Sequence, residues 1–306
     1  MYNPPIQYPE RNSCLKGVNM KVAQTAIING WFARLTHTAL RNRRFGGSAG
    51  PRPSSRVGGM RWLAVSVLAV CLTGLALHPA AHGAEGFVTL FNGQDFTNWK
   101  VPENDGGHWK IVDGVIDYDA ESEAGRDKNL WSVKEYGDFV FQVDWRIKET
   151  PYVNPRVPYI LRDGTHALDI KGEVMRMSLP DSDSGILLRG QGKSQINIWC
   201  WPVGSGEVYG YRMDRSQPPE VRAGVTPLTQ ADNPVGEWNR FEITMIGDRV
   251  TVFLNGTKVL DNALLPGIPA RGPIGLQHHG SKRDGKWVSP PALVQFKNIS
   301  IKELGM

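Results

Sequence analysis

Apolar and polar residues alternate at a period of two through most of the chain from Glu85 onward. In FVFQVDWRI (139–147) this puts Phe139, Phe141, Val143, Trp145 and Ile147 on one face, the signature of a half-buried β-strand. RFEITMI (240–246) does the same with Phe241, Ile243 and Met245, and VQFKNISIKEL (294–304) closes the chain in the same way. RVTVFLNGTKVL (249–260) reads as two strands around Asn255–Gly256, the pair a tight type I′ hairpin turn requires. Gly, Asn, Asp and Pro separate these runs. No amphipathic helix longer than about two turns and no internal repeat interrupts them. Many short strands at this spacing predict an all-β fold, a sandwich or jelly roll of two antiparallel sheets.

Two regions depart from this rhythm. Residues 149–183, ETPYVNPRVPYILRDGTHALDIKGEVMRMSLPDSD, are rich in Pro and Gly and too long for an ordinary connection. They are expected to form an excursion with a hairpin of its own beside one mouth of the sandwich. The other region is the N-terminus. Residues 60–84 carry Arg61, an apolar run from Trp62 to Leu77 and then small residues, the layout of a secretory signal cleaved after Gly83 or Ala84. The run is short for the ~20 residues of a membrane-spanning helix, so export is expected, with an N-terminal anchor as the alternative. Residues 1–59, Arg-, Gly- and Pro-rich, read as a disordered extension or as sequence upstream of a true start at Met60. This leaves 85–306 as one domain.

Charge and cysteine content narrow the function. Residues 1–61 hold ten Lys/Arg and one acid, Glu10, of the chain's 35 and 30, leaving 25 basic against 29 acidic residues beyond them. A mildly acidic domain excludes wholesale binding to nucleic-acid backbones. Only Cys200 lies outside the leader, so the domain has neither an internal disulfide nor a thiolate metal site, and its stability must come from its core.

The candidate chemistry starts at QINIWCW (195–201). Ile196, Ile198 and Cys200 point to one side, and Gln195, Asn197, Trp199 and Trp201 to the other. Amides alternating with large rings suit a sugar: rings stack on its C–H faces, while amides and Arg189 just upstream take its hydroxyls. Burying those amides in core would be costly. In GEVYGYRMD (206–214), Glu207, Tyr209 and Tyr211 are expected to share a strand face, with Glu207 a hydroxyl ligand or proton carrier. In GPIGLQHHG (272–280), Gln277 and His279 share one face and His278 takes the other, so two neighbouring histidines are poorly placed to hold one ion. No cofactor is expected, a divalent metal being the lesser alternative, and His279 reads as an acid, base or hydroxyl partner. An E-x-D-x-x-E strand, G-x-S-x-G, a P-loop, H-E-x-x-H and a dinucleotide fingerprint are all missing, which disfavours a two-carboxylate glycosidase.

In their order, LFNGQDFTNWK, HWKIVDGVI, KEYGDFVFQVDWRI, SGILLRG, GEWNRFEITMIGDRVTVFLNGTKVLD, GPIGLQHHG and VQFKNISIKEL resemble the 3-keto-disaccharide hydrolase family. The resemblance covers about Gly86 to Leu304. It implies a concanavalin-like jelly roll, exported and acting on 3-keto-glycosides, with Arg189, Gln195, Asn197, Gln277 and His279 in the pocket. Two features depart from many relatives: His278 stands where they resemble Asp, and the stretch joining WRI to SGI is longer by about thirty residues. The implied reaction is elimination of the C1 substituent after proton loss from C2, then hydration. It needs a proton carrier, His279 or Glu207, donors such as Arg189 and Gln195 to an enolate oxygen, and Trp199 as a stacking platform. The expected partner is an oligosaccharide or glycoside, with no stable membrane insertion. The alternative is a non-catalytic carbohydrate-binding module on the same sandwich.

Overall fold

A computed structural model describes residues 86–305. The expected signal segment at 60–84 and the extension before it lie outside the described residues. The larger of two antiparallel sheets has eight strands. Seven run in the order Thr257–Leu264, Arg249–Leu254, Asn239–Ile246, Phe139–Ile147, Val294–Glu303, Val115–Tyr118 and Trp109–Val112, and Val88–Thr89 also pairs with Val294–Glu303. The smaller sheet runs Gln195–Trp199, Asp183–Leu187, Gly272–Leu276, Leu130–Tyr136 and Trp99–Lys100.

The alternation decides which faces meet. Phe139, Phe141, Val143, Trp145 and Ile147 are all buried, as are Phe241, Ile243 and Met245 of the neighbouring strand. Opposite them, Leu130, Ile186, Ile196, Ile198, Ile274 and Leu276 of the smaller sheet complete one continuous core. Such an arrangement is an antiparallel sandwich. Asn255 and Gly256 both have positive φ, +52° and +78°, so the hairpin turn takes the predicted type I′ form. Among the described residues no helix is long and apolar enough to cross a membrane.

Residues 149–183 form a paired arm. Tyr152–Pro158 lies antiparallel to Arg176–Asp181, and bridges Ile160↔His166 and Leu168↔Val174 extend the pairing towards the tip. The segment expected as a strand, GEVYGYRMD, departs from the sequence reading. Val208 makes one isolated bridge to Ile196, and the chain then turns into a short helix, Tyr209–Arg212, followed by a second, Pro219–Gly224. Gly210 explains the turn, since a Cβ there would overlap the backbone of Lys193.

Candidate functional site

The site lies on the outer face of the smaller sheet, where the pairing register brings distant residues together. Gln195 faces Leu187, Asn197 faces Gly185 and Trp199 faces Asp183. Directly opposed residues share a face, so the amide-and-ring face of one strand acquires a carboxylate from its neighbour. Gly185 leaves room for this, because a Cβ there would lie 2.6 Å from Gln195 Cγ and 2.7 Å from the Ile196 carbonyl oxygen. Gln277 and His279 come from the loop just past the Gly272–Leu276 strand. Together with Trp201 and Tyr209 these residues line a cavity of about 240 Å³.

The polar groups inside it are oriented by specific bonds. Gln195 Nε2 donates to Gln277 Oε1 at 2.6 Å and to the Ser184 carbonyl at 3.1 Å, which leaves Gln277 Nε2 as the open donor. His279 Nδ1–H donates to the Pro290 carbonyl at 2.6 Å, so its Nε2 carries the lone pair when the ring is neutral. That Nε2 lies 3.8 Å from Asp183 Oδ2. Burial pushes the Asp183 carboxyl up to about 6, with His279 pulling it down and Asp181 adding to the rise. Asp183 Oδ1 and Asn197 Oδ1 are buried and have no hydrogen-bond partner, so two acceptors sit in the floor of the cavity. An acceptor in that state is costly unless something donates to it.

The rim is aromatic. Trp201 stacks on Trp199 at 4.1 Å between ring centroids and 8° between planes, and Tyr209 meets Trp199 edge-on at 6.2 Å. Trp199, expected to be the stacking platform, has its indole N–H tied to the Gly204 carbonyl and is almost wholly covered. Trp201 and the half-exposed Tyr209 are left to offer ring surface. Trp201 Nε1 donates to Asp181 Oδ2 at 2.9 Å, and Asn154 from the arm donates to the same oxygen at 2.8 Å, so the arm's base braces this wall.

Of the residues expected from sequence, Gln195, Asn197, Trp199, Gln277 and His279 meet in this cavity, and three do not. Arg189 is a correction. It sits beyond the end of its strand in a left-handed conformation, φ +50°, and its guanidinium is buried against the carbonyls of Gly137, Gly247 and Pro269 and the Asp138 carboxylate. All of its reach is spent on tying loops together. Tyr211 is a second correction. The helix turns it into the core, where its hydroxyl donates to the Pro266 carbonyl. Glu207 is a third. It is fully buried, with Arg212 Nε donating to Oε1 at 2.6 Å, and it does not line the cavity. Burial raises its carboxyl to about 7 against the pull of Arg212. His278 points away, as the alternation predicts. It accepts from the Tyr118 hydroxyl at 2.6 Å, and burial lowers its proton affinity to about 4. Among the described residues no group of three or more His, Cys, Asp or Glu is placed to hold a metal ion.

Sequence reasoning missed Asp183 and Tyr209 as lining groups. Asp183 closes the irregular 149–183 stretch. The signal that could have found it is the alternation of the strand: Asp183, Gly185 and Leu187 fall on the face opposite to Ser184, Ile186 and Leu188.

Residues 86–302 match the family described as the 3-keto-alpha-glucoside-1,2-lyase-like domain. The chain belongs to this family. No curated protein matches it. Among solved structures, a candidate glycosyl hydrolase from Parabacteroides distasonis ATCC 8503 is 23% identical with a TM-score of 0.44, covering 72% of this chain and 95% of that one. A second structure of a candidate glycosyl hydrolase from that organism is 21% identical with a TM-score of 0.46, covering 72% and 84%. The carbohydrate-binding module CBM66 from Bacillus subtilis is 13% identical with a TM-score of 0.32, covering 68% and 96%.

Proposed function

We propose that the protein is a carbohydrate-active enzyme that cleaves the glycosidic bond of 3-keto-glycosides by elimination and hydration. The observation that carries this reading is the His279–Asp183 pair, 3.8 Å apart, in one cavity with Gln195, Asn197 and Gln277. Family membership supports the same substrate class. A ketone at C3 acidifies the C2 proton, so one carrier suffices. His279 Nε2 takes that proton, and the electron pair forms the enolate, whose oxygen is held by Gln277 Nε2. The enolate then expels the C1 substituent. The imidazolium, steadied by the Asp183 carboxylate, returns its proton to the departing oxygen, and water adds across the resulting enone. Trp201 and Tyr209 hold the sugar ring at the rim. Export is part of the proposal on the pattern of residues 60–84 alone, and N-terminal sequencing of the mature protein tests it.

The enzymatic test measures aglycone release from a 3-keto-glucoside and from its unoxidised parent. Release from the keto form alone is expected, and His279→Ala is expected to lower kcat by 10² to 10⁴, the usual weight of a proton carrier. Binding of both sugars without release would replace the reading with a non-catalytic carbohydrate-binding module.

A further inference from the structure

A second cleft lies between the arm and the two short helices, with the opposite electrostatic character. It has a volume of about 240 Å³ and is lined by His166, Arg212, Arg215 and Arg222, with Gly164 and Thr165 among the other lining residues and no carboxylate in its wall. The arm is seated closely here: a Cβ on Gly164, φ +77°, would come within 2.8 Å of the Arg222 carbonyl oxygen and 2.9 Å of Thr226 Oγ1. Three arginines thus line one cleft, on a domain whose overall charge is mildly acidic.

Their hydrogen-bonding capacity is not used up. Arg212 is 2% exposed. Its Nε donates to Glu207 and its Nη1 to His166 Nε2 at 3.1 Å, while its Nη2 is buried without a partner. Arg222 Nε is likewise buried and unpartnered, and the Arg215 side chain makes no hydrogen bond or ion pair. Asp163, a carboxylate that feels the Arg222 charge, is occupied by the amide and hydroxyl of Thr165. The field left over is felt by His166: burial first, then Arg212, Arg176 and Arg215, hold it below its ordinary proton affinity. Buried cationic donors without acceptors are costly unless a ligand supplies them.

We propose that this cleft binds a tetrahedral oxyanion, sulfate or phosphate, free or as an ester on a carbohydrate. A carboxylate satisfies one planar fork, whereas donors arriving from three different backbone positions suit an acceptor with oxygens in several directions. The site is separate from the sugar cavity but adjoins it, because the Arg212 guanidinium lies over the Tyr209 ring at 5.6 Å and Tyr209 lines that cavity. An ester group carried by a sugar bound next door is therefore within the chemistry the cleft can read.

The test is titration calorimetry and thermal unfolding of the full chain with sodium sulfate, sodium phosphate, glucose 6-sulfate and glucose 6-phosphate, each against sodium chloride at matched ionic strength and against glucose. Saturable binding is expected for at least one oxyanion, with a rise in Tm that chloride does not reproduce. The double variant R215A/R222A is expected to weaken it at least tenfold. Arg215→Ala alone removes an exposed, unpartnered side chain, so it reports on the cleft even if the double variant fails to fold. An ester binding more tightly than the free ion assigns the site to a modified sugar, and equal affinities assign it to the ion itself. A response that chloride matches, or one undiminished in Arg215→Ala, overturns the proposal.

Discussion

In the proposed reaction His279 and Asp183 divide the work of one proton between them, and the division is set by their neighbours. The Pro290 carbonyl fixes the tautomer of the imidazole, while burial keeps the carboxyl near 6. The ionised carboxylate is the form that steadies an imidazolium. The value of kcat/KM on a 3-keto-glycoside is therefore expected to fall as pH drops through about 6, and Asp183→Asn should lower the plateau and remove the Asp183 limb of the pH profile. An acid limb unchanged in Asp183→Asn would sink the pairing. Arg189 gives the opposite case. Replacing it with Ala strips donors from three carbonyls and the Asp138 carboxylate, which should cost about 3 kcal/mol in urea unfolding while leaving kcat per folded molecule within about threefold. The contrast shows what a sequence can and cannot convey about single residues. Gln195 and Asn197 were legible because strand alternation fixes a direction, and Gln277 and His279, just past the end of their strand, still reach the cavity expected of them. The direction of Arg189 is fixed instead by a left-handed backbone and by loops 50 to 80 residues away, neither of which leaves a local trace.

At the scale of elements, the site depends on one strand pair lying close enough for side chains to cross. Gly185 is the residue that permits this, so Gly185→Ala should destabilise the domain by about 1–3 kcal/mol and displace Gln195 from Gln277. Thermal unfolding reads the first effect. The second should appear as a raised KM, larger than the rise in any variant that costs equal stability but lies in the opposite sheet. Strands of this kind were readable in advance, down to the Asn255–Gly256 turn, because period-two patterning and turn chemistry agree there. The segment after Gly206 was not. Tyr209 and Tyr211 suit a strand by propensity, and the tight seat of Gly210 against Lys193 overrides that preference. The helix that results keeps Tyr209 at the cavity rim and sends Tyr211 into the core, two roles that alternation alone would have made identical.

Across the whole molecule, one core joins both sheets, and two carboxyl groups, Asp183 and Glu207, are held inside or against it with their proton affinities raised to about 6 and about 7. Their reference values are 3.8 and 4.5, so the folded protein holds these protons more tightly than the unfolded chain. The sign follows from linkage: the stability they contribute is complete below about pH 4 and is lost as pH rises through 6 for Asp183 and 7 for Glu207. Glu207→Gln keeps an acceptor for Arg212 Nε but has no proton to lose. Urea unfolding of both proteins between pH 5 and 8 isolates Glu207 together with its coupling to Asp183, because the titrations outside that pair are common to them. The native chain should lose stability relative to Glu207→Gln as pH rises across that window. A difference that stays flat, or that grows in favour of the native chain, would mean that Arg212 holds Glu207 ionised throughout. The buried pair would then be a fixed strut between the short helix and the smaller sheet, with no proton to exchange on unfolding in that range.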